Sequence, residues 1–135
     1  ARLSGYFIKN NPATGHPQLV RTSFDNTANL TTDSWEIVAD DIEDMQVLFG
    51  VFDPATGGIT GYDGSHFNAN PSELKKVRQI RIQLIGRTAS PDPAWNEGPY
   101  YNPRYNRTGG ITGYDHHRRR PIETIIYLRN WRPTP

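Results

Sequence analysis

The stretch Lys75 to Arg87 reads KKVRQIRIQLIGR. Its side chains alternate with a period of two. Ile80, Ile82 and Leu84 fall on one side, and Gln79, Arg81, Gln83 and Ile85 on the other. A helix would scatter that pattern, so the run predicts a β-strand. Pro121 to Asn130 (PIETIIYLRN) alternates in the same way, with Ile122, Thr124, Ile126 and Leu128 against Glu123, Ile125, Tyr127 and Arg129. If the two strands pair antiparallel, Arg81 and Glu123 become candidate cross-strand partners, worth a few tenths of a kcal/mol.

The N-terminal half supplies more strands. Leu3 to Lys9 (LSGYFIK) and Gln18 to Ser23 (QLVRTS) flank the turn cluster Asn10 to Pro17, which predicts a hairpin with an eight-residue connection. Trp35 to Phe52 (WEIVADDIEDMQVLFGVF) changes period midway. Trp35, Val38, Ala39 and Ile42 have helical spacing after Asp33 and Ser34 as N-caps, whereas Met45, Val47, Phe49 and Val51 alternate. The reading is one or two helical turns leading into a strand.

The octapeptide TGGITGYD occurs at Thr56 to Asp63 and again at Thr108 to Asp115. The flanks of the two copies differ, so the similarity does not extend over a supersecondary unit, as a repeat architecture requires. Both copies are expected in surface connections, where glycine supplies the positive φ of tight turns. The second copy ends a connection of about thirty residues, Thr88 to Arg120, that also holds Trp95, Tyr100, Tyr101 and Tyr105. Connections of that length are commonly functional or disordered.

Composition narrows the chemistry. The chain of 135 residues carries 12 glycines, 11 prolines and 35% apolar residues, which suits a single loop-rich domain over residues 1–135. The absence of cysteine excludes disulfides and thiolate sites. A formal charge of +1 gives no global pull toward nucleic acid or membrane. The apolar runs are too short to span a bilayer.

Each candidate chemical site has a plainer structural reading. Asp40, Asp41, Glu43 and Asp44 read as a solvated helix face around Val38, Ile42 and Met45 rather than as a cation site. Asp53 and Asp63 bracket the first glycine turn and are the weak metal candidates, but the order of ligands in a calcium loop is absent. His116 and His117 lack the spacing of a zinc site, and His16 and His66 are remote in sequence. No nucleophile–base pair, phosphate loop or dinucleotide fingerprint is present. No cofactor and no catalysis are therefore expected. The basic run Arg118, Arg119, Arg120 beside the aromatic loop resembles the pairing used on single-stranded nucleic acid, set against charges that block a sheet edge. Asn29 to Thr31 and Asn106 to Thr108 match the glycosylation sequon, which says little without a known source.

Three segments in order resemble the C-terminal part of PilW-type minor pilins of type IV pili. Val38, Ile42, Glu43, Met45, Gln46, Val47, Phe49, Gly50 and Asp53 fit the family's "xLVxGIExMQVxYGVD". Val77, Arg78, Ile80, Arg81, Ile82, Leu84 and Arg87 fit "VxxVRIxLLxRS". Arg119, Arg120, Thr124, Ile126, Leu128, Arg129 and Asn130 fit the closing "RRxxxxTIxLRN". The resemblance implies an α+β, mostly β, pilin-like antiparallel sheet with one short helix and long surface loops. It implies a non-enzymatic filament subunit, exported to the cell-surface pilus, that partners other pilins or minor pilins. Family members begin with a hydrophobic helix near "FTLIE", which these residues lack. The resemblance thus implies either an excised soluble domain or a pilin whose helix is a separate subunit, with an apolar sheet face left for that helix. On this reading Trp95, Tyr100, Tyr101, Tyr105, Arg118, Arg119 and Arg120 are the contact residues, since rigid aromatics give contact area at low entropic cost. The alternatives are a type II secretion pseudopilin of the GspJ kind, an extracellular binding domain for glycan or nucleic acid, and a hydrolase with an unrecognised site.

Overall fold

The computed structural model describes residues 3–24, 35–96, 101–102, 107–108 and 115–128. The fold is mostly β, with two antiparallel sheets and few short helices. Strands β1 (Leu3–Asn10), β2 (Pro17–Phe24) and β3 (Trp35–Asp40) form a sheet in the order β1-β2-β3. Strands β4 (Ile42–Phe52), β5 (Ile59–Tyr62), β6 (Val77–Arg87) and β9 (Arg119–Tyr127) form a second in the order β5-β4-β6-β9. A two-stranded ribbon pairs β7 (Tyr101–Asn102) with β8 (Arg107–Thr108). By internal contacts the chain forms two units. One comprises Ala1–Met45, Leu84–Tyr101 and Thr108–Pro121, and the other Gln46–Gln83, Asn102–Arg107 and Ile122–Pro135.

In the first unit β1 and β2 pair from Leu3↔Phe24 to Asn10↔Pro17, so the strands run longer and the connection is shorter than expected. The connection, Asn11 to His16, is closed by Asn11 N–H to His16 C=O (2.8 Å) and Gly15 N–H to Asn11 C=O (2.7 Å). The Asn11 side chain accepts from Ala13 N–H (2.8 Å), and Gly15 has φ +71°. The β4–β5 hairpin of the second unit repeats this loop bond for bond. Asp53 N–H reaches Gly58 C=O (2.9 Å), Gly57 N–H reaches Asp53 C=O (2.8 Å), Asp53 Oδ1 accepts from Ala55 N–H (2.9 Å), and Gly57 has φ +72°. The sequences are NPATG and DPATG. Asx side chain, proline at the next position and left-handed glycine at the end each meet a demand of the same four-residue turn.

That loop corrects the reading of TGGITGYD. In the first copy Thr56, Gly57 and Gly58 belong to the turn, but Ile59 to Tyr62 is the edge strand β5, paired from Phe52↔Ile59 to Phe49↔Tyr62. Most of the second copy, 109–114, lies outside the described residues.

The helical expectation at Trp35 is also overturned, because Trp35 to Asp40 is strand β3, paired to β2. The spacing of Trp35, Val38, Ala39 and Ile42 suits a helix. However, a segment this short cannot sustain one alone, and Trp35, Ile37 and Val38 are residues that favour a pleated surface. Asp41, with φ 57°, separates β3 from β4 in the left-handed conformation that aspartate tolerates better than most residues. The short helix lies elsewhere, at α1 (His66–Ala69), followed by a 3-10 turn, Pro71–Lys76.

In the second unit Val51, Phe67 and Val77 form the buried cluster, with Phe49, Tyr62 and Leu128 packed against it. Phe49 and Phe67 meet edge to face at 5.5 Å, and His66 stacks on Tyr62 while its Nε2 lies 2.7 Å from Glu73 Oε2.

The strands of this unit bury amides as well as Leu48, Val51 and Val77. Gln46, Gln79 and Gln83 are buried. A Cβ on Gly50 would fall 2.3 Å from Gln79 Cγ, so even positions of β4 and odd positions of β6 share one face. Val47, Ile80 and Ile82 therefore share the other, and all three are only half-buried. The bonds Thr88 N–H to Arg118 C=O and Leu128 N–H to Arg78 C=O (both 2.9 Å) fit one antiparallel β6–β9 register. That register sets Ile126 across from Ile80 and adds Ile122 to the same face; the two are 46% and 57% exposed. It also sets Gln83, not Arg81, directly opposite Glu123, so Arg81 and Glu123 are diagonal neighbours.

Gly15→Ala and Gly57→Ala should each destabilise the protein by about 1–2 kcal/mol, although no atom lies within 4 Å of either added Cβ. Gly64→Ala, whose Cβ would be in ordinary contact with Phe49 at 3.8 Å, should stay within about 0.5 kcal/mol. Urea denaturation of the three variants checks this.

Candidate functional site

The base of the long connection brings together two of the contact residues expected from sequence, Trp95 and Arg118. Thr88 and Arg118 join the two ends of the connection, through Thr88 N–H to Arg118 C=O and Arg118 N–H to Thr88 Oγ1 (3.2 Å). His117 Nδ1 donates to Thr88 C=O (2.7 Å), which fixes that ring nitrogen as the protonated one. Asp92 organises the next layer. Its N–H donates to His116 C=O (2.8 Å), its C=O accepts from Trp95 N–H (2.8 Å), and its Oδ1 accepts from Ala94 N–H (3.0 Å). Arg118 closes the cluster, with Nε 3.1 Å and Nη2 2.6 Å from Asp92 Oδ2 and its guanidinium 4.6 Å from the Trp95 ring centroid. The hydrogen bonds from Arg118 hold the Asp92 carboxyl below its ordinary range. His116 Nδ1 donates to Trp95 C=O.

The result is an exposed indole with a guanidinium against it. The Arg118 side chain is 54% exposed, so its ion pair with Asp92 is screened by solvent and adds little to stability. A cation on an aromatic face at an exposed site adds about 0.5–1 kcal/mol. The pair shapes a surface more than it stabilises a fold.

Arg119 has a different place from the surface contact expected of it. Its side chain is 1% exposed and lies between two carboxylates. Nε is 2.9 Å from Glu43 Oε2, and Nη1 and Nη2 are 2.7 Å and 2.6 Å from Asp115 Oδ1 and Oδ2. The fork on Asp115 is bidentate, the arrangement that the planar guanidinium favours. These bonds hold the Asp115 carboxyl far below its ordinary range. Arg118 and Arg119 are therefore each matched by a carboxylate, and Arg118 and Arg120 are both exposed. Tyr100 and Tyr105 lie outside the described residues, and Tyr101 lies on β7.

The acidic run reads differently on strands than on a helix. Asp40 accepts from Gln18 Nε2 (2.6 Å), Asp41 lies 2.9 Å from His16 Nδ1, Glu43 holds Arg119, and Asp44 is buried. These are separate partnerships, not a solvated helix face. The weak metal candidates are likewise engaged by their own turns. Asp53 accepts from Ala55 N–H and from the Thr56 hydroxyl (2.9 Å each), and Asp63 from the N–H (2.8 Å) and hydroxyl of Ser65. Those bonds lower both carboxyl pKa values. Among the described residues no group of three or more histidine or carboxylate side chains is placed to hold a metal ion.

The buried Arg119 was missed as a structural cation because it sits inside a run of three. The signal that could have found it is Glu43, an acid on strand β4 between Ile42 and Asp44, two residues before Met45. Arg119→Ala leaves two carboxylates facing a void and should cost about 3–5 kcal/mol in urea denaturation at neutral pH, with Arg119→Met less harmful. The depressed Asp115 pKa adds stability above the ordinary carboxylate value of about 3.9 that is lost as pH falls below it toward the folded-state pKa. Asp115→Asn should flatten the decline in stability between about pH 4 and pH 2.

No helix among the described residues is long and apolar enough to cross a membrane. No curated protein and no solved structure matches the chain. Residues 5–130 match the family described as type IV pilus-assembly protein W. That match spans both sheets and all three motif segments, and the chain belongs to the PilW family of type IV pilus assembly.

Proposed function

We propose that residues 1–135 act as one globular, non-enzymatic structural subunit of a type IV pilus, displayed at the cell surface and contributing to filament assembly. The observation that carries this reading is the sheet face of Val47, Ile80, Ile82, Ile122 and Ile126. Its apolar side chains are half-buried or exposed while the glutamines of the opposite face are buried. Burying one such side chain is worth about 1.5–3 kcal/mol. A face of this kind suits an apolar helix, supplied by the same protein or by a separate pilin subunit. Membership of a pilus-assembly family supports other pilus components as the partners. The connection from Thr88 to Arg120 is then the surface turned outward, with Trp95 and Arg118 as its anchors and Tyr100, Tyr101 and Tyr105 as further contact residues.

The test is an in-cell replacement of the native gene by Ile126→Asp or Ile80→Asp. A carboxylate in an apolar interface costs several kcal/mol, so surface pili should fall by at least about tenfold. The purified Ile126→Asp domain should melt close to the unaltered one, because position 126 is already half-exposed. Trp95→Ala should leave filament number unchanged. Full piliation with Ile126→Asp sinks the reading.

A further inference from the structure

A cleft of about 220 Å³ opens on one face of the β1-β2-β3 sheet. The family motifs and the Trp95 cluster leave it unused. Val20, 2% exposed, lies among its lining residues, with Trp35 and Ile37, 41% and 55% exposed, beside it. Trp35 begins the edge strand β3 opposite Thr22. Its ring meets the Phe7 edge at 5.0 Å and carries the Lys9 ammonium 3.6 Å from its centroid. The indole is thus held in place before any ligand arrives, which lowers the entropic cost of binding.

Lys9, Asn10, Asn11 and Gln18 supply the polar part of the lining. Asn11 Oδ1 accepts from Ala13 N–H and Gln18 Nε2 donates to Asp40, which leaves the Asn11 amide NH2 to donate and the Gln18 carbonyl to accept. Among the described residues no carboxylate lies within ion-pair reach of the Lys9 ammonium. One cation with no acidic partner among the described residues, amides on one side and an aromatic–aliphatic surface on the other define the ligand. It must be ring-sized, with one apolar face, a rim of hydroxyls and a single negative charge. The volume is below the usual range of about 300–1,000 Å³ for drug-sized ligands, so the cleft admits about one ring. A nucleotide would bring phosphate charge that one lysine meets poorly. A peptide added along β3 would be held by main-chain bonds and would need no cation.

We propose that this cleft binds one uronic-acid unit of an acidic polysaccharide, with the pyranose ring against Trp35 and Ile37 and the carboxylate on the Lys9 ammonium. Tri-galacturonate and glucuronate are the probes, glucose and acetate the controls, and two-dimensional NMR of the whole chain the readout. Glucuronate and tri-galacturonate should shift the Trp35 indole N–H and the Asn10 and Asn11 side-chain amides in a saturable way, with Kd on the order of 1 mM. Glucose should bind about fivefold more weakly, the most that an exposed ion pair supplies. Lys9→Gln should bring glucuronate down to the level of glucose while the fold, seen in the remaining signals, is unchanged. Trp35→Ala should abolish the response to both sugars. Unshifted Trp35 and Asn10 signals with both acidic sugars would overturn the proposal. So would acetate reproducing the shifts, or Lys9→Gln leaving the preference for glucuronate intact.

Discussion

The buried guanidinium of Arg119 is the constraint around which one end of the structure is arranged. A cation 1% exposed to solvent survives only if its charge and its hydrogen-bond donors are met on the spot. Glu43, near the start of β4, and Asp115, just before β9, meet them. The pairing therefore fixes two distant chain segments relative to each other across a separation of 76 residues. Glu43 lies in the first segment of the family resemblance and Arg119 in the third, so the pairing joins the two in this chain. Arg87, from the second motif, joins the same region by donating its N–H to Asp41 C=O (2.9 Å). Asp41 in turn holds the left-handed conformation that lets β3 pass into β4.

A second consequence concerns the octapeptide. Its two copies end in Asp63 and Asp115, which are alike in sequence but not in role. Asp63 caps the turn that leads into α1 through Ser65, whereas Asp115 is the bidentate partner of Arg119. The same aspartate has a different role at the end of each copy, because what a carboxylate does depends on the donors that reach it. The repeat with structural meaning is the shorter NPATG and DPATG, where each residue answers a backbone demand of the loop itself. A local motif that satisfies itself internally is conformationally portable. A carboxylate such as Asp115, whose cation is also held by Glu43 far along the chain, is not.

This distinction also accounts for what was legible in the sequence. The long strands were legible at β6 and β9 because alternation over many residues has one reading. So was the first hairpin, although its strands extend further into the turn cluster than side-chain pattern alone suggested. Trp35 to Asp40 was not legible, because six residues with apolar groups at mixed spacing fit either period, and cross-strand bonds to β2 decided the outcome. The burial of Arg119 could not be read from HHRRRP, since each of the three arginines looks the same until the fold brings Asp92 to one and Glu43 to another. Of the expected contact residues, Trp95 and Arg118 do meet, and Tyr100 and Tyr105 lie outside the described residues.

The inverted sheet of the second unit bears most directly on what the chain is for. Strand period alone does not say which face is the core. For Gln79 and Gln83 against Ile80 and Ile82, the usual hydrophobic preference is to bury the isoleucines, with about 1.5–3 kcal/mol at stake for each fully buried side chain. The structure buries the glutamines instead. Such a choice is unfavourable for an isolated sheet, and it becomes favourable once a second apolar surface covers the open face and recovers the transfer free energy of Val47, Ile80, Ile82, Ile122 and Ile126 together. Leu48 and Val77 are buried with the amides, so the uncovered apolar area is confined to Val47, Ile80, Ile82, Ile122 and Ile126, and on the function proposed above an apolar pilin helix would be the surface that covers it.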